Sequence, residues 1–352
     1  MIDIKNLPVT IIVSSFNRPQ FLRKLCLYFI GQEEKFPVLF GDASYTEKKQ
    51  SVQAIAEEFK METRFSFHDF ESGYPLYPLL FELLKKVKTP YVMLLADDDF
   101  VATDFLPIGI DFLDKEPSYS LVHGNSLIAI VSSNDIPQST QQYSQLEQHA
   151  DDRLDRLINH LGAYSTTAFS IHRTDQMLKN FAYLINLKTD HRFSEVLESC
   201  LSVVQGKVKK MDNLFLVRRM HPQQDSVQLG LKEDDFDWVT SKKWAPQYEL
   251  FLDILKKEVE VNSPELKKKF DVEVKRSMWT YMGGFFGPPP FPGRTSRQLL
   301  ADFVNKLILS DHFNISTYFK KNEDKLSELI NSKSKYSRSF IPIYKILMSP
   351  LD

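Results

Sequence analysis

The first hundred residues alternate between short apolar runs and segments with helical periodicity. The apolar runs occupy residues 9–14, 37–41, 64–68 and 91–95, and the helical segments between them occupy 20–30, 46–60 and 76–87. Such alternation predicts an α/β fold, with a mainly parallel sheet covered by helices on both faces. In sheets of this kind, ligands bind beyond the carboxyl ends of the strands.

The fourth apolar run leads directly into three adjacent carboxylates, Asp97, Asp98 and Asp99. Adjacent like charges repel one another unless a cation or strong hydrogen-bond donors lie among them. Carboxylate oxygens suit Mg²⁺ or Mn²⁺, and such a cation suits a substrate that carries phosphate. The triplet therefore predicts a site for a cation and a phosphate, with a solvated turn or a helix N-terminus as the alternative.

Polar residues also follow the first two runs: Ser15 and Asn17 after one, and Asp42 and Ser44 after the other. Parallel strands bring their carboxyl ends to one edge of a sheet, so we expect these residues to lie beside the acidic triplet.

Composition limits the class of protein. The 352 residues are 43% hydrophobic and 26% charged, which is ordinary for a globular protein. The net charge of −2 by itself argues neither for nor against nucleic acid, and we expect none as a partner. Two isolated cysteines, Cys26 and Cys200, fit a reducing compartment rather than a disulfide scaffold. No signal peptide and no apolar run of ~20 residues is visible, which predicts a cytoplasmic protein, with peripheral contact to the inner face of a membrane left open.

After residue 100 the pattern loosens. Helices are expected at 104–114 and 151–161, strands within 120–131, 164–172 and 207–217, a mobile polar loop at 133–150, and a helix from an N-cap at Ser194 to a stop at Gly206. Beyond about residue 235 the chain reads as helical, at 246–260, 295–309 and 322–331, with a break at 283–293. We therefore divide the chain into an α/β domain, 1–235, and a helical region, 236–352.

Four short motifs occur in a fixed order: Ser14-Ser15-Phe16-Asn17-Arg18-Pro19, Gly41-Asp42-Ala43-Ser44, Ala96-Asp97-Asp98-Asp99, and Ser194-Glu195 before Gly206. In this order the motifs resemble those of the family 2 glycosyltransferases, across residues 8–225. The resemblance implies the A-type glycosyltransferase fold and inverting transfer of a sugar from a nucleoside-diphosphate sugar, most simply a UDP-sugar. It also implies Mn²⁺ or Mg²⁺ as cofactor and a hydroxyl of a cell-surface glycan or lipid-linked saccharide as acceptor.

The resemblance assigns six residues to the donor: Phe16, Asn17, Arg18, Asp42, Ser44 and Asp97. It implies that Phe16 stacks on the base and that Asn17 holds base or ribose. Asp42 would accept a hydrogen bond from a base N–H, and Asp97 would face the ribose or diphosphate. As structural alternatives, Asp42 caps the next helix and Phe16 belongs to the core.

The metal ligands implied by the resemblance are Asp98, with Asp99 as a substitute, and His221. The family motif is Asp-x-Asp, and Ala96 stands at its first position, so the pairing moves to Asp97 and Asp98. His221 is alternatively a turn residue before Pro222, and Arg218 and Arg219 either contact the phosphates or are surface charge.

By position in the family pattern, Glu195 is the base that takes the proton of the acceptor hydroxyl. Asp190 and Glu198 are its rivals. The family has Glu-Asp where this chain has Ser194-Glu195, and Glu195 alternatively only favours the positive pole of its helix.

The segment 333–348 interleaves basic with aromatic and aliphatic residues. It either contacts an anionic membrane surface or docks against the helical region or a second subunit, and the uneven helical spacing favours docking. The helical region as a whole is expected to serve the acceptor side, oligomerisation or membrane association.

Two other functions remain open. A sugar nucleotidyltransferase uses a related sheet, but favours a Gly-rich loop after the first strand, and Ser14 to Pro19 contain no glycine. A non-catalytic relative that binds a glycan or scaffolds a partner is the second alternative.

Overall fold

The computed structural model describes residues 2–132, 136–143, 145–187, 191–221, 242–286 and 326–349. Within them, one mixed sheet of nine strands forms the centre of the molecule. The strands are β1 (Val9–Ser15), β2 (Val38–Asp42), β3 (Phe65–Asp69), β4 (Tyr91–Ala96), β5 (Phe100–Val101), β6 (Tyr119–Val131), β7 (Pro137–Tyr143), β8 (Ile171–Arg173) and β9 (Lys207–Met220).

The strands predicted in the first hundred residues form the parallel part of the sheet, in the order β3-β2-β1-β4. Ser14 is level with both Gly41 and Ala96, and Ser15 is level with Asp42. The α/β prediction is confirmed, and the three polar strand ends meet at one edge as expected.

Beyond β4 the sheet is mixed rather than mainly parallel. Strand β8 pairs antiparallel with β4 and β6, and β6 then pairs parallel with β9. The expected loop at 133–150 is wrong in part, because β7 pairs antiparallel with β6 from within it. Backbone pairing holds this polar segment in the sheet although its side chains give no apolar alternation.

Ten α-helices with defined bounds occur in the described residues, and they cover both faces of the sheet. They are α1 (Pro19–Ile30), α2 (Thr46–Glu58), α3 (Leu76–Leu84), α4 (Leu106–Lys115), α5 (Arg153–Gly162), α6 (Thr174–Leu184), α7 (His191–Gln205), α8 (Ala245–Val259), α9 (Pro264–Phe286) and α10 (Ser337–Leu347). One core lies between the sheet and α1, α2, α4 and α10, and the other lies between the sheet and α3, α5, α6, α7, α8 and α9.

Helix α7 departs from its predicted start. It begins at His191, so Ser194 lies inside the helix and is not its N-cap. Its predicted stop is confirmed: the helix ends at Gln205, and a Cβ on Gly206 would lie 2.5 Å from the backbone nitrogen of Ser120. Of the strand expected at 164–172, only the end at Ile171–Arg173 is a strand, and α6, which follows it, was not predicted.

The helical region lies against the α/β part of the chain. Helix α8 lies on α7 and α9 lies on α5, while the helices expected at 295–309 fall outside the described residues. The break expected at 283–293 is wrong for its first residues, which continue α9 to Phe286. None of the described helices is long and apolar enough to cross a bilayer.

The segment 333–348 docks within the chain, as the uneven spacing favoured, but against the α/β part rather than against the helical region. In α10, Phe340, Ile343 and Leu347 are buried, and the helix packs on α1 and β9. The buried ammonium of Lys24 on α1 donates to the carbonyl of Leu347 at 3.2 Å. The apolar face that would enter a membrane is therefore already part of the core.

Candidate active site

A cavity of about 430 Å³ opens at the carboxyl edge of β1, β2 and β4, where the polar strand ends meet. Its polar lining comes from the β1 loop, the acidic triplet, α7 and β9: Ser14, Ser15, Arg18, Asp98, Asp99, Glu195, Glu198 and Arg218. Its apolar lining comes largely from α3 and from aromatic residues at the rim. The sequence thus predicted the location of the cavity through the strand ends.

Hydrogen bonds tie the loops after β1 and β2 to each other. Asn17 has a φ of 59°, a left-handed conformation that asparagine tolerates better than most residues. Its backbone N–H donates to Ser44 Oγ at 2.7 Å, and its Oδ1 accepts from the backbone N–H of Tyr45 at 2.9 Å. Asn17 and Ser44 therefore hold the two loops together. The side-chain oxygen of Asn17 accepts one of these hydrogen bonds, and Ser44, which accepts the other, is fully buried.

Asp42 completes this network. Ser44 Oγ donates to its Oδ1 at 2.6 Å, and burial raises the pKa of the carboxyl above its usual range. Asp42 does not cap α2, whose N-cap position is Tyr45. It borders a second, smaller cavity of about 160 Å³ that shares Ser15 with the main one.

Aromatic rings form the rim of the main cavity. Phe16 is half-buried and meets Tyr45 edge-on, with ring centroids 5.2 Å apart. Tyr45 is 56% exposed, and Gly73, with a φ of 75°, lies against its ring. Phe16 is thus a cavity residue as well as a packing residue. Sequence reasoning missed Tyr45, although it directly follows the second polar strand end.

Arg18 holds two of the three aspartates. Its Nη1 donates to Asp98 Oδ2 at 2.8 Å, and its Nη2 lies 2.7 Å from Asp97 Oδ1. Asp97 is fully buried and is absent from the lining of the cavity. The prediction that Asp97 contacts ribose or diphosphate is corrected: it lies behind Arg18 and is the counter-ion of that guanidinium.

Asp98 is the aspartate that reaches the cavity with a strongly held charge. His221 Nε2 lies 2.9 Å from Oδ2, the same oxygen that Arg18 contacts. Burial opposes its ionisation, but the hydrogen bond from His221 and the charges of Arg18 and Arg219 lower the pKa of Asp98 to about 2.

Asp99 turns toward β9. Its Oδ1 accepts from the backbone N–H of Arg219 at 3.0 Å, and its Oδ2 lies 3.4 Å from Arg218 Nε. Among the described residues, no group of three His, Cys, Asp or Glu side chains is arranged to hold a metal ion. The predicted set of Asp98, Asp99 and His221 is therefore corrected, because Asp99 is bound to β9 and only Asp98 and His221 lie together.

The two arginines of β9 have different surroundings. Arg219 is fully buried, with its guanidinium 4.1 Å from the ring centroid of Phe21 and bonded to the backbone oxygen of Asp98. Arg218 borders the cavity and lies 5.0 Å from the ring centroid of Phe169. Of this pair, Arg218 is the cation that a ligand can reach.

Helix α7 contributes two glutamates one turn apart. Tyr164 donates from its hydroxyl to Glu195 Oε1 at 3.2 Å. Glu198 is buried and accepts from Ser202 Oγ at 2.6 Å and Thr167 Oγ1 at 3.3 Å. Burial raises the pKa of Glu198 to about 7. Asp190, the other predicted rival for the base, lies outside the described residues.

Comparisons with known proteins concern the fold. No family model matches the sequence, and neither does any curated protein. The structure is similar to that of S. aureus TarS 1-349 in complex with UDP-GlcNAc, at 15% identity and a TM-score of 0.47, covering 93% of each chain. For TarS 1-349 in complex with UDP, identity is 15% and the TM-score 0.48, over 80% of this chain and 92% of that one. A longer TarS chain matches at 15% identity and a TM-score of 0.45, over 78% of this chain, which spans 55% of that one.

Proposed function

We propose that the protein is an inverting glycosyltransferase that moves a sugar from a nucleoside-diphosphate sugar to a hydroxyl. The observation that carries the proposal is the cavity itself, which combines guanidinium groups from Arg18 and Arg218 with the carboxylate of Glu195. Guanidinium groups suit the oxygens of a diphosphate, and a carboxylate suits the proton of an attacking hydroxyl.

The donor would occupy the side of the cavity formed by the β1 and β2 loops. Phe16 and Tyr45 offer aromatic faces to the base, and Arg218 offers charge to the diphosphate. We propose UDP as the nucleotide, with Asp42 in the second cavity as the acceptor for a base N–H. Asp42 already receives a hydrogen bond from Ser44, and a carboxylate has further lone pairs to offer.

A divalent cation fits the remaining pair of ligands. The bonds from Mg²⁺ or a first-row transition-metal ion to its ligand atoms are about 2.1 Å long, so two ligand atoms at right angles to each other lie about 3 Å apart. Asp98 Oδ2 and His221 Nε2 are 2.9 Å apart, which is compatible with Mn²⁺ or Mg²⁺ held by these two residues. When bound, such an ion stabilises the negative charge that develops on the leaving diphosphate.

The transfer itself would use α7. The acceptor oxygen bonds to the anomeric carbon, the bond from that carbon to the diphosphate breaks, and the proton of the acceptor hydroxyl passes to Glu195. Tyr164 holds the carboxylate of Glu195 through its hydroxyl, which fixes the direction of the free oxygen. Glu198 would stand beside it with a pKa that burial raises to about 7.

The acceptor is a cell-surface glycan or a lipid-linked saccharide in this proposal. Helix α9 extends from the helical part of the chain toward the proposed catalytic base, Glu195. The ring centroid of Tyr281 on α9 lies 4.8 Å from that of Tyr164, which bonds to Glu195. The domain 1–235 would then bind the donor, and the region 236–352 would shape the acceptor side.

A thermal-shift screen of nucleoside diphosphates with and without Mn²⁺ tests the donor site. A ligand that binds the native state raises the melting temperature by mass action, so UDP with Mn²⁺ should give the largest rise. Incubation with UDP-sugars should then release UDP, and Glu57→Gln, an exposed carboxylate on α2, should leave that release unchanged.

Three outcomes would contradict the proposal. If no nucleotide shifts the melting temperature, the donor site does not exist. Release of pyrophosphate from a sugar phosphate and a nucleoside triphosphate would identify a nucleotidyltransferase. Binding of glycans without any nucleotide would favour the non-catalytic alternative.

A further inference from the structure

We propose that Arg18 occupies the cation position of the donor-free protein, so that a divalent cation binds with the nucleotide diphosphate and not before it. The inference rests on the proposed function for its nucleotide, but the competition between Arg18 and the cation can be measured with the metal alone. Arg18 would thus be a positioning residue that couples cation binding to donor binding.

The first argument is the crowding of one oxygen atom. Asp98 Oδ2 is contacted by Arg18 Nη1 at 2.8 Å and by His221 Nε2 at 2.9 Å. A carboxylate oxygen has two lone pairs, and both are directed at protein groups here. A cation that takes this oxygen must therefore displace Arg18 Nη1, and it needs the lone pair of His221 Nε2 as well.

The second argument is the anchor that keeps Arg18 nearby. Its other terminal nitrogen, Nη2, lies 2.7 Å from Asp97, which is fully buried. Removing a charge partner from a buried carboxylate is costly, because the charge is left in a medium of low polarity. Arg18 can give up Asp98 while it keeps Asp97, and Nη1 is then available to a phosphate oxygen.

The third argument is the balance of charge. Three guanidinium groups lie among the three aspartates at the end of β4. Those of Arg18 and Arg218 contact the carboxyl groups and that of Arg219 bonds to the backbone oxygen of Asp98, so this region carries no excess negative charge to attract a divalent cation. A nucleoside-diphosphate sugar brings two negative charges on its diphosphate. A cation that binds together with the diphosphate is attracted by these two charges, whereas a cation that binds alone has no such excess of negative charge beside it.

Binding of Mn²⁺, followed by the electron paramagnetic resonance signal of the free ion, tests the proposal on the intact chain. Arg18→Gln removes the charge and keeps a hydrogen-bonding side chain, and it should bind Mn²⁺ alone about tenfold or more tightly than the wild type. The wild type should gain a similar factor when UDP is added, while the variant should gain less. Arg23→Gln is the matched control, since Arg23 lies on α1, which directly follows Arg18, and forms a bidentate surface pair with Glu58.

The proposal is overturned if Arg18→Gln binds Mn²⁺ alone no more tightly than the wild type and Arg23→Gln do. Should that variant fail to fold, Arg18→Lys retains one charge but cannot bridge both aspartates, and it should show a smaller increase in affinity for Mn²⁺; an unchanged affinity would overturn the proposal equally. A protein that binds Mn²⁺ as expected but never binds UDP would instead refute the donor site.

Discussion

The aspartates at the end of β4 and the glutamates of α7 lie at the same cavity, yet their negative charges are met in different ways. Guanidinium groups of Arg18, Arg218 and Arg219 lie around Asp97, Asp98 and Asp99. The pKa of Asp98 falls to about 2, whereas burial raises the pKa of Asp97 to about 7 and that of Asp99 to about 6. Glu195 and Glu198 are held by hydroxyl groups instead.

Hydroxyl groups satisfy lone pairs without supplying charge, so burial dominates at α7. The pKa of Glu198 rises to about 7 for this reason, although it accepts two hydrogen bonds. The comparison teaches that direct contacts decide the ionisation of a buried carboxyl here. Asp98, which both Arg18 and His221 contact, stays charged, whereas the pKa of Glu198, which hydroxyl groups contact, lies at about 7. That difference suits a reaction with an anionic leaving group and a proton to remove.

The largest effect should come from the residue that exchanges the proton. Glu195→Gln keeps the shape of the side chain and removes its basicity, so we expect kcat for sugar transfer to fall by about 10²- to 10⁴-fold. Steady-state kinetics with a UDP-sugar measures this, and Glu57→Gln on the surface serves as control. Retention of full activity would mean that Glu198 or Asp190 is the base.

The stability of the protein should be sensitive to the loss of a guanidinium beside the aspartates at the end of β4. Arg18→Met leaves Asp97 and Asp98 buried without the guanidinium that pairs with both, so we expect the free energy of unfolding to fall by about 3–5 kcal/mol at pH 7. Urea denaturation measures it. A loss below about 1 kcal/mol would show that the folded protein does not need a guanidinium beside these aspartates. The contrast between the aspartates of β4 and the glutamates of α7 would then fail.

The buried carboxyl of Glu198 should make the stability of the protein depend on pH. The pKa of Glu198 is higher in the folded state than its ordinary value of 4.5, so the native state holds this proton more tightly than the unfolded state. The wild type should therefore lose about 3 kcal/mol of stability from this group as pH rises from below 4.5 to above 7. Glu198→Gln cannot titrate, so its stability relative to the wild type should rise between pH 5 and pH 8.

Urea denaturation of both proteins at the two pH values decides the question. An identical difference in stability at pH 5 and pH 8 would mean that Glu198 is charged throughout, like Asp98. Glu198 on α7 would then resemble Asp98 at the end of β4 in its charge.

The smallest effect should follow from removing one hydroxyl group. Tyr164→Phe deletes the hydrogen bond to Glu195, and we expect kcat to fall by about tenfold with little change in KM, because one net hydrogen bond to a charged group is lost. Tyr183→Phe removes an equivalent Tyr–Glu bond, to Glu258 outside the cavity, and should change neither quantity.

Such a control separates positioning from general packing. If Tyr164→Phe and Tyr183→Phe reduce kcat equally, the hydroxyl of Tyr164 has no specific role at the base.

The edge of the sheet was predictable because it depends on short-range patterns. Apolar runs define β1, β2 and β4, and the residue after each run lies at the same edge once the strands are parallel. Asp98 could therefore be placed at this edge from the strand pattern, whereas Arg18 and Glu195 were assigned to the same site by the family resemblance; all three line one cavity.

The partners within the site depend on contacts that local patterns do not encode. Asp99 points to β9 because that strand passes beside it, 120 residues later in the chain. Asp97 is a counter-ion because the side chain of Arg18 covers it. Pairing with β6 likewise overrode the polar composition of β7, which had indicated a loop.

The contact between Lys24 and Leu347 bears on how the protein is made. The two residues are 323 positions apart, and the contact joins α10 to α1, the helix that directly follows Arg18. During synthesis, the sheet edge and α1 leave the ribosome long before α10 does, so the surface of α1 that receives Phe340 and Ile343 stays exposed until then. We therefore expect the nascent chain to need protection from aggregation at α1, and the helix beside the cavity to reach its final packing only after residues 337–347 have been added.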